Sequence, residues 1–572
     1  MIDYKVQIAQ IIAKQEIGLT AEEIVEVIEV PADSKNGDFA FPCFRLAKAM
    51  RKAPQMIAAD IAVAIEAESI FEKVEQVNAY VNMFICKDVF VRNVVSEVVS
   101  RGTDYGKSDV GEGKKVIVEF SSPNIAKPFH IGHIRSTVIG NSIYKLYDAT
   151  GYDVVRINHL GDYGTQFGKM IVAYRLWGSE EELEQNPIKS LLKYYTKFHE
   201  EAEKDPTLED KARETFVKLE NGDAEEVELW KRFRELSLEE FSRVYKMLDI
   251  EFDSYAGESF YSDKMPAVLK ELKDKNLMHE SRGAQIVDLE NYDMPPAVIT
   301  KSDGSSLYAT RDIAAAIYRK QHYDFYKNIY VVATQQNLHF KQWKQVLALM
   351  GYAWEEDCIH VPFGLVSLEE GTMSTRKGRV VFLEDVLNKA VDKTRDIISE
   401  KNTDGIDIDE IAKEVGIGAV IFQELSNNRI KDYVFSWDKI LNFDGETGPY
   451  VQYTHARASS VLRNASQEEL AKIKGCDISD FSYVTSESAY ELTKLIYRVP
   501  EVIREAAAKY EPSILTRHLI DIAQGFNRFY HDEHILVDNE EEKVAKLALV
   551  YASKVTIANC LAILGIKAPD KM

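Results

Sequence analysis

The chain has 572 residues, 45% of them hydrophobic and 28% charged, with a formal net charge of −22. That length exceeds what one hydrophobic core serves, so three or more domains are expected; the charge excludes indiscriminate coating of nucleic acid but leaves local basic faces free to bind RNA in a salt-sensitive way. The sequence offers no apolar run read as long enough to span a bilayer and no signal-peptide core, and its five scattered cysteines (Cys43, Cys86, Cys358, Cys476, Cys560) lack a C-x-x-C pair and read as thiols of a reducing cytoplasm.

Residues 1–108 are expected to form a small α+β domain, with helical patterns near Val6–Ala13 and Pro54–Ile65, a turn at Ser34–Asp38 and a strand-like run at Val74–Ile85. Tyr80, Asn82 and Phe84 alternate along that run and could stack on and bond to an unpaired base, or could bury their rings in a core. Gly102–Gly113 reads as a linker. Then Val116–Phe120 is a β-rich run suited to a strand buried on both faces, and Ile134, Val138, Ile139, Ile143 and Leu146 keep helical spacing up to Gly151, a C-cap. Val154 and Val155 open a second strand, which makes a βαβ unit whose first turn is where such folds hold nucleotides.

That turn carries His130-Ile131-Gly132-His133. Gly132 removes a side chain where a nucleotide could approach, the helix start offers free N–H groups, and two histidines three apart lie on one face. An incidental helix-capping pair is the rival reading, and zinc finds no third ligand at a familiar spacing. The segment 179–249 turns charged and helical, an insertion whose default explanation is a solvated face. Beyond it, Ile329–Ala333 and Val361–Val366 suit central parallel strands, and from Asn442 the pattern is helical to the end, with Pro500 interrupting the stripe Leu492, Leu495, Ile496, Val499.

The run Phe120–Thr137, FSSPNIAKPFHIGHIRST, closely resembles the first signature of class I aminoacyl-tRNA synthetases, in the extended form of the arginyl-tRNA synthetases. The second signature of that family, Lys-Met-Ser-Lys-Ser, corresponds here to Gly371–Gly378, GTMSTRKG, with both lysines replaced by Thr372 and Thr375 and with Arg376 and Lys377 following. Transfer of AMP to a carboxylate builds charge on the leaving pyrophosphate, and Lys127 is the natural substitute cation, with Lys377 as second choice. The resemblance assigns ATP to His130, Gly132, His133, Met373, Ser374 and Arg376.

A guanidinium is a planar, permanently charged fork, met best by carboxylates and an aromatic face or hydroxyl. Tyr308 and Asp312 stand at i, i+4, and Glu258 adds a second carboxylate; these match positions that the family uses for the arginine side chain. Ser122 and Asn124 resemble residues around the substrate's amino and carboxylate ends, and Gln336 completes the set. Gly37–Pro42 resembles the added N-terminal domain that touches the outer corner of tRNA, Leu160–Gly168 a segment bordering the active site, and Gly448–Arg457 with Gln524–Tyr530 the helical anticodon-binding domain.

The resemblance implies a doubly wound Rossmann-type parallel sheet at 109–441, preceded by the α+β domain and followed by an α-helical bundle at 442–572. It implies arginine activation by ATP with Mg²⁺ and no zinc, transfer to the terminal adenosine of tRNA(Arg), and adenylation that requires bound tRNA. A cytoplasmic monomer without a membrane is the expectation. The alternative is a non-catalytic tRNA-binding paralogue, which the altered second signature alone favours.

Overall fold

The computed structural model describes residues 3–300, 308–368, 381–400, 407–443 and 445–572. By compactness the chain forms two units, one of Met1–Tyr105, Arg457–Val499 and Asp521–Asn559, the other of Gly106–Ala456, Pro500–Ile520 and Cys560–Met572.

The second unit is built on a four-stranded parallel sheet with the order Cys358–Phe363, Lys327–Ala333, Lys115–Glu119, Asp153–Ile157. Val116, Ile117 and Val118 are fully buried, as a strand covered on both faces requires. The connection direction reverses between Lys115–Glu119 and Lys327–Ala333, so the crevice beyond their carboxyl ends is the place for a ligand. Helix Ile134–Ala149 lies close on the first strand, where a Cβ on Gly140 would meet the Phe120 side chain at 2.1 Å. Thr150 caps this helix and Gly151 follows at φ +86°, the left-handed residue that its C-terminus needs. Helices Tyr308–Tyr323 and Asn337–Leu349 cover the other half of the sheet, with Ile117, Ile313, Tyr330 and Trp343 in one core.

Two expectations change here. Val361–Val366 is not a central strand: Cys358–Phe363 is the sheet's edge, the chain turns at Gly364, and Val366–Leu368 pairs in parallel with Tyr433–Phe435. The insertion is helical, yet it is more than a solvated face, because helix Ala224–Met247 buries Phe233, Ser237, Phe241, Val244 and Tyr245. A small antiparallel sheet, Met278–Ser281, Ala284–Val287 and Ala297–Thr300, also precedes the helix that begins at Tyr308.

In the first unit, Val74–Ile85 is a hairpin and not one strand: Phe71–Val77 and Tyr80–Ile85 are antiparallel, and Asn78 takes φ +55° at the turn. Phe39–Pro42 pairs on the other side, giving a three-stranded sheet with Tyr80–Ile85 in the middle. Pro500 does not end its helix, which runs Glu487–Ala508. A proline leaves the carbonyl four residues back without its N–H donor. That carbonyl, Ile496 O, accepts from the Tyr105 hydroxyl at 2.8 Å instead, inside the buried core. On length and composition alone helix Glu540–Ile563 could cross a membrane, contrary to the sequence reading, but 72% of its apolar window is buried within the protein.

Candidate active site

The turn after strand Lys115–Glu119 is held in a conformation that L-residues rarely adopt. Ser121, Ser122 and Ala126 have φ of +69°, +47° and +57°. Each such residue costs on the order of 1 kcal/mol or more, so surrounding contacts must impose it. The Ser121 N–H donates to Ser136 Oγ at 2.9 Å, and that hydroxyl donates to Val331 O at 2.9 Å, tying the turn to the neighbouring strand. Thr137 Oγ1 donates to Ser121 Oγ at 2.9 Å, and Tyr245 from the insertion helix lies 2.8 Å from the same oxygen. Ala126 N–H donates to Ser237 Oγ at 2.8 Å. Asn124 bridges in parallel to Gly161, where a Cβ would lie 2.3 Å from Asn124 Oδ1, so that glycine makes room for the side chain.

His130 and His133 come together as expected, ring centroids 4.0 Å apart. The Gly132 N–H donates to His130 Nδ1 and the His130 N–H to His133 Nδ1, both at 3.1 Å. A backbone N–H can only donate, so His130 Nδ1 accepts and that ring carries its proton on Nε2; His133 Nδ1 meets both the His130 N–H and, at 3.2 Å, the His130 carbonyl. Burial, with the nearby Lys127 charge, pushes His130 down to about 4; burial and His130 push His133 well below the ordinary value. At neutral pH both rings are therefore uncharged donors. Phe129 stacks on His133 at 5.1 Å and packs against Phe241 and Tyr245. Lys127 Nζ lies 5.7 Å from the centroid of Tyr195 on the insertion.

Met373, Ser374, Arg376 and Lys377, with Thr372 and Thr375, lie outside the described residues. The chain on both sides of them meets the first signature. Ile131 N–H donates to Val381 O at 3.1 Å and Leu383 N–H to Phe129 O at 2.9 Å. On the other side, Arg135 Nη1 donates to Gly364 O at 2.9 Å and Lys431 O at 2.8 Å, and its guanidinium faces Glu424 at 3.5 Å with both side chains fully buried.

Glu258, half-buried at the start of a 3₁₀ turn, pairs with Arg311 Nη1 at 3.2 Å. Burial raises this carboxyl to about 7; Arg311 opposes the rise while Asp312 and Asp162 add to it. The Arg311 guanidinium lies 4.5 Å over the Tyr163 ring. Asp312, on the same helix, lies 2.5 Å from His339 Nε2. Burial there works against ionisation, yet the His339 bond and nearby positive groups leave its carboxyl below the ordinary value. The sequence brought forward neither Arg311, His339 nor Tyr163; the position of His339 three residues after Gln336, in the same segment, was the available signal. Gln336 is exposed at the end of strand Lys327–Ala333, and Ser122 and Asn124 sit at the end of the adjacent strand. Tyr308 begins helix Tyr308–Tyr323, and its side chain lies outside the described set. Two turns beyond Asp312, the buried Arg319 pairs with Glu119 at 2.6 Å and reaches His159 at 3.3 Å, locking the helix to the first strand.

In the other unit, Tyr80, Asn82 and Phe84 share one face of the central strand, with Val81, Met83 and Ile85 on the core side. Asn82 is buried, whereas Tyr80 and Phe84 are half-exposed; Phe44 packs edge-on to Tyr80 at 5.5 Å and Lys73 lies 5.3 Å over Phe84. The rings therefore form a partly open platform and not a closed core.

Residues 94–437 match the family described as "tRNA synthetases class I (R), catalytic domain". The chain belongs to the arginyl group of class I tRNA synthetases. Residues 3–85 match the arginyl tRNA synthetase N terminal domain and residues 451–572 the DALR anticodon binding domain. Curated relatives named arginine–tRNA ligase include that of Halothermothrix orenii, 57% identical, and that of Clostridioides difficile, 59% identical, each over the whole of both chains. The solved arginyl-tRNA synthetase of Thermus thermophilus superposes with a TM-score of 0.80 over the whole of both chains at 24% identity. That of Plasmodium falciparum gives 0.78 at 25% identity, over 100% of this chain and 99% of the other. The Rossmann-type catalytic sheet and the helical C-terminal region thus agree with the family's fold.

Proposed function

We propose that this chain joins L-arginine to tRNA(Arg) in two steps: arginine's carboxylate attacks the α-phosphate of ATP, releasing pyrophosphate, and the terminal adenosine of the tRNA then takes the arginyl group. The observation that carries this reading is a pair of neutral histidines on the turn after strand Lys115–Glu119, at the sheet's switch point, in the same unit as the carboxylates Glu258 and Asp312 with their partners Arg311 and His339. No protein nucleophile is required. Ring N–H groups of His130 and His133 hydrogen-bond the phosphate oxygens on which charge develops, and Gly132 leaves space for the adenosine. Lys127 carries the cation that both lysines of the usual second signature would supply, with Lys377, Arg376, Met373 and Ser374 beside the triphosphate. This assignment of Lys127 fails if Lys127→Ala leaves adenylation near wild type while Lys377→Ala abolishes it.

Glu258, Asp312, Tyr308 and Gln336 take the guanidinium end; Ser122 and Asn124 take the amino and carboxylate end. Mg²⁺ accompanies ATP and neutralises its phosphate charge. Residues 1–108 contact the outer corner of tRNA through Tyr80, Asn82 and Phe84, residues 109–441 carry the chemistry, and residues 442–572 meet the anticodon. Adenylation waits for bound tRNA. The five free thiols support a cytoplasmic enzyme, and a monomer is the working state.

The test is arginine-dependent exchange of labelled pyrophosphate into ATP, with and without total tRNA. Exchange only with tRNA is expected. Exchange without it removes the gating; another amino acid replacing arginine removes the pocket assignment; silence with every amino acid favours a non-catalytic paralogue.

A further inference from the structure

The pocket carboxylate Glu258 already has a cation of the chain's own beside it. Arg311 Nη1 lies 3.2 Å from Glu258 Oε2, and its guanidinium plane is 4.5 Å over Tyr163. Only 5% of Arg311 is exposed. A cation seated on an aromatic face in a desolvated place has little freedom to swing away.

Among the described residues, the charged groups facing Glu258 from each neighbouring element are few. Asp312 stands one residue beyond Arg311 on the same helix and is bonded to His339. Asp162, fully buried on the loop after strand Asp153–Ile157, is bonded to Arg234 Nε at 3.1 Å and to the Ser259 N–H and hydroxyl at 2.8 and 2.9 Å. Asp162 thus has its own cation, and Asp312 its own histidine. Within that same set, Arg311 alone is ion-paired with Glu258.

The geometry points to Arg311 as a specificity-determining positioning residue, which holds Glu258 ionised and oriented so that it can meet the guanidinium of the substrate. This inference rests on the assignment of Glu258 to the substrate's guanidinium made above. Without Arg311, burial and the two neighbouring aspartates act on Glu258 unopposed by that cation, and a protonated glutamic acid forfeits the charge that distinguishes arginine from a neutral isostere.

The sign follows from the direction of the shift. A carboxyl standing at about 7 is ionised above that pH, and the ionised form binds a guanidinium. The KM for arginine is therefore flat above a break near neutrality and rises as pH falls below it, by about tenfold per unit. In Arg311→Gln the break moves upward; a displacement of one unit raises KM roughly fivefold at pH 7 and nearly vanishes at pH 8.5.

The experiment measures the arginine KM in tRNA-supplemented pyrophosphate exchange from pH 6 to 8.5, for the full-length wild type, Arg311→Gln, Arg311→Lys, Tyr163→Leu and Glu258→Gln. Expected are an upward move of the break in Arg311→Gln, its return towards wild type in Arg311→Lys, and a smaller upward move in Tyr163→Leu, which frees the guanidinium and covers the case where Arg311→Gln does not fold. A KM raised by the same factor at every pH in Arg311→Gln or Tyr163→Leu overturns the inference and leaves Arg311 a structural residue. An arginine KM unchanged in Glu258→Gln overturns instead the assignment of Glu258 to the substrate, and with it the inference that rests on that assignment.

Discussion

The two parts of the proposed site, the histidine turn and the carboxylates Glu258 and Asp312, solve opposite electrostatic problems. At the proposed phosphate end, His130 and His133 are kept neutral by burial, so they offer ring N–H donors without net charge. At the proposed guanidinium end, Glu258 and Asp312 are carboxylates whose neighbours, Arg311 and His339, work against the burial that would neutralise them. Neutral preset donors are suited to charge that appears only during reaction, because they need no reorganisation when it arrives. Fixed charge is suited to a ligand that is charged throughout, and there it selects. The comparison therefore assigns rate to one end and recognition to the other.

The largest expected break is His133→Ala. Removing one preset donor from a developing oxyanion costs roughly 100- to 1,000-fold in rate, so exchange at saturating arginine and ATP should fall by that order. Asp312→Asn should act on the other end. Loss of a charged hydrogen bond is worth about 1.5–3 kcal/mol, which predicts an arginine KM raised between about tenfold and about 150-fold in the same assay. A smaller effect is expected from Ser136→Ala, which strips the Ser121 N–H of its partner and unties the strained turn from Val331. A loss of about 1–3 kcal/mol should appear as a lower thermal midpoint.

The smallest effect sharpens the claim of neutrality. His130 stands at about 4 in the fold against an ordinary 6.5, so between those values the unfolded chain binds the extra proton and stability falls as pH is lowered through that window. Melting from pH 7 to 4 should show this slope, and His130→Asn should reduce it, the remainder belonging to His133, His159 and His360, which burial also holds down. A slope that survives the substitution unchanged would place the titration elsewhere.

Local patterns account for what could be read without coordinates. The strand, the H-x-G-H turn and helix Ile134–Ala149 are contiguous, so periodicity and the glycine were enough, while the acidic pocket positions are a proposal drawn from the family resemblance. What escaped depends on partners far along the chain. Pro500 reads as a helix stop until Tyr105, from a segment 391 residues away from Ile496, supplies the missing donor. The insertion reads as solvated charge, whereas Ser237 and Tyr245 face inward from it and hold the signature turn. The hairpin at Phe71–Ile85 turns at Asn78 without a glycine, which hid the turn. Arg311 was invisible for a related reason: an arginine between Thr310 and Asp312 carries no mark of the Glu258 carboxylate that it meets in space.

The division of labour is tested most directly by arginine titrations of His133→Ala and Asp312→Asn in tRNA-supplemented pyrophosphate exchange, run side by side. The account predicts that His133→Ala lowers the maximal rate and leaves the arginine KM within about twofold, while Asp312→Asn raises KM by at least about tenfold. If both variants lose maximal rate with KM unmoved, or if His133→Ala acts on KM alone, the two ends do not divide rate from recognition.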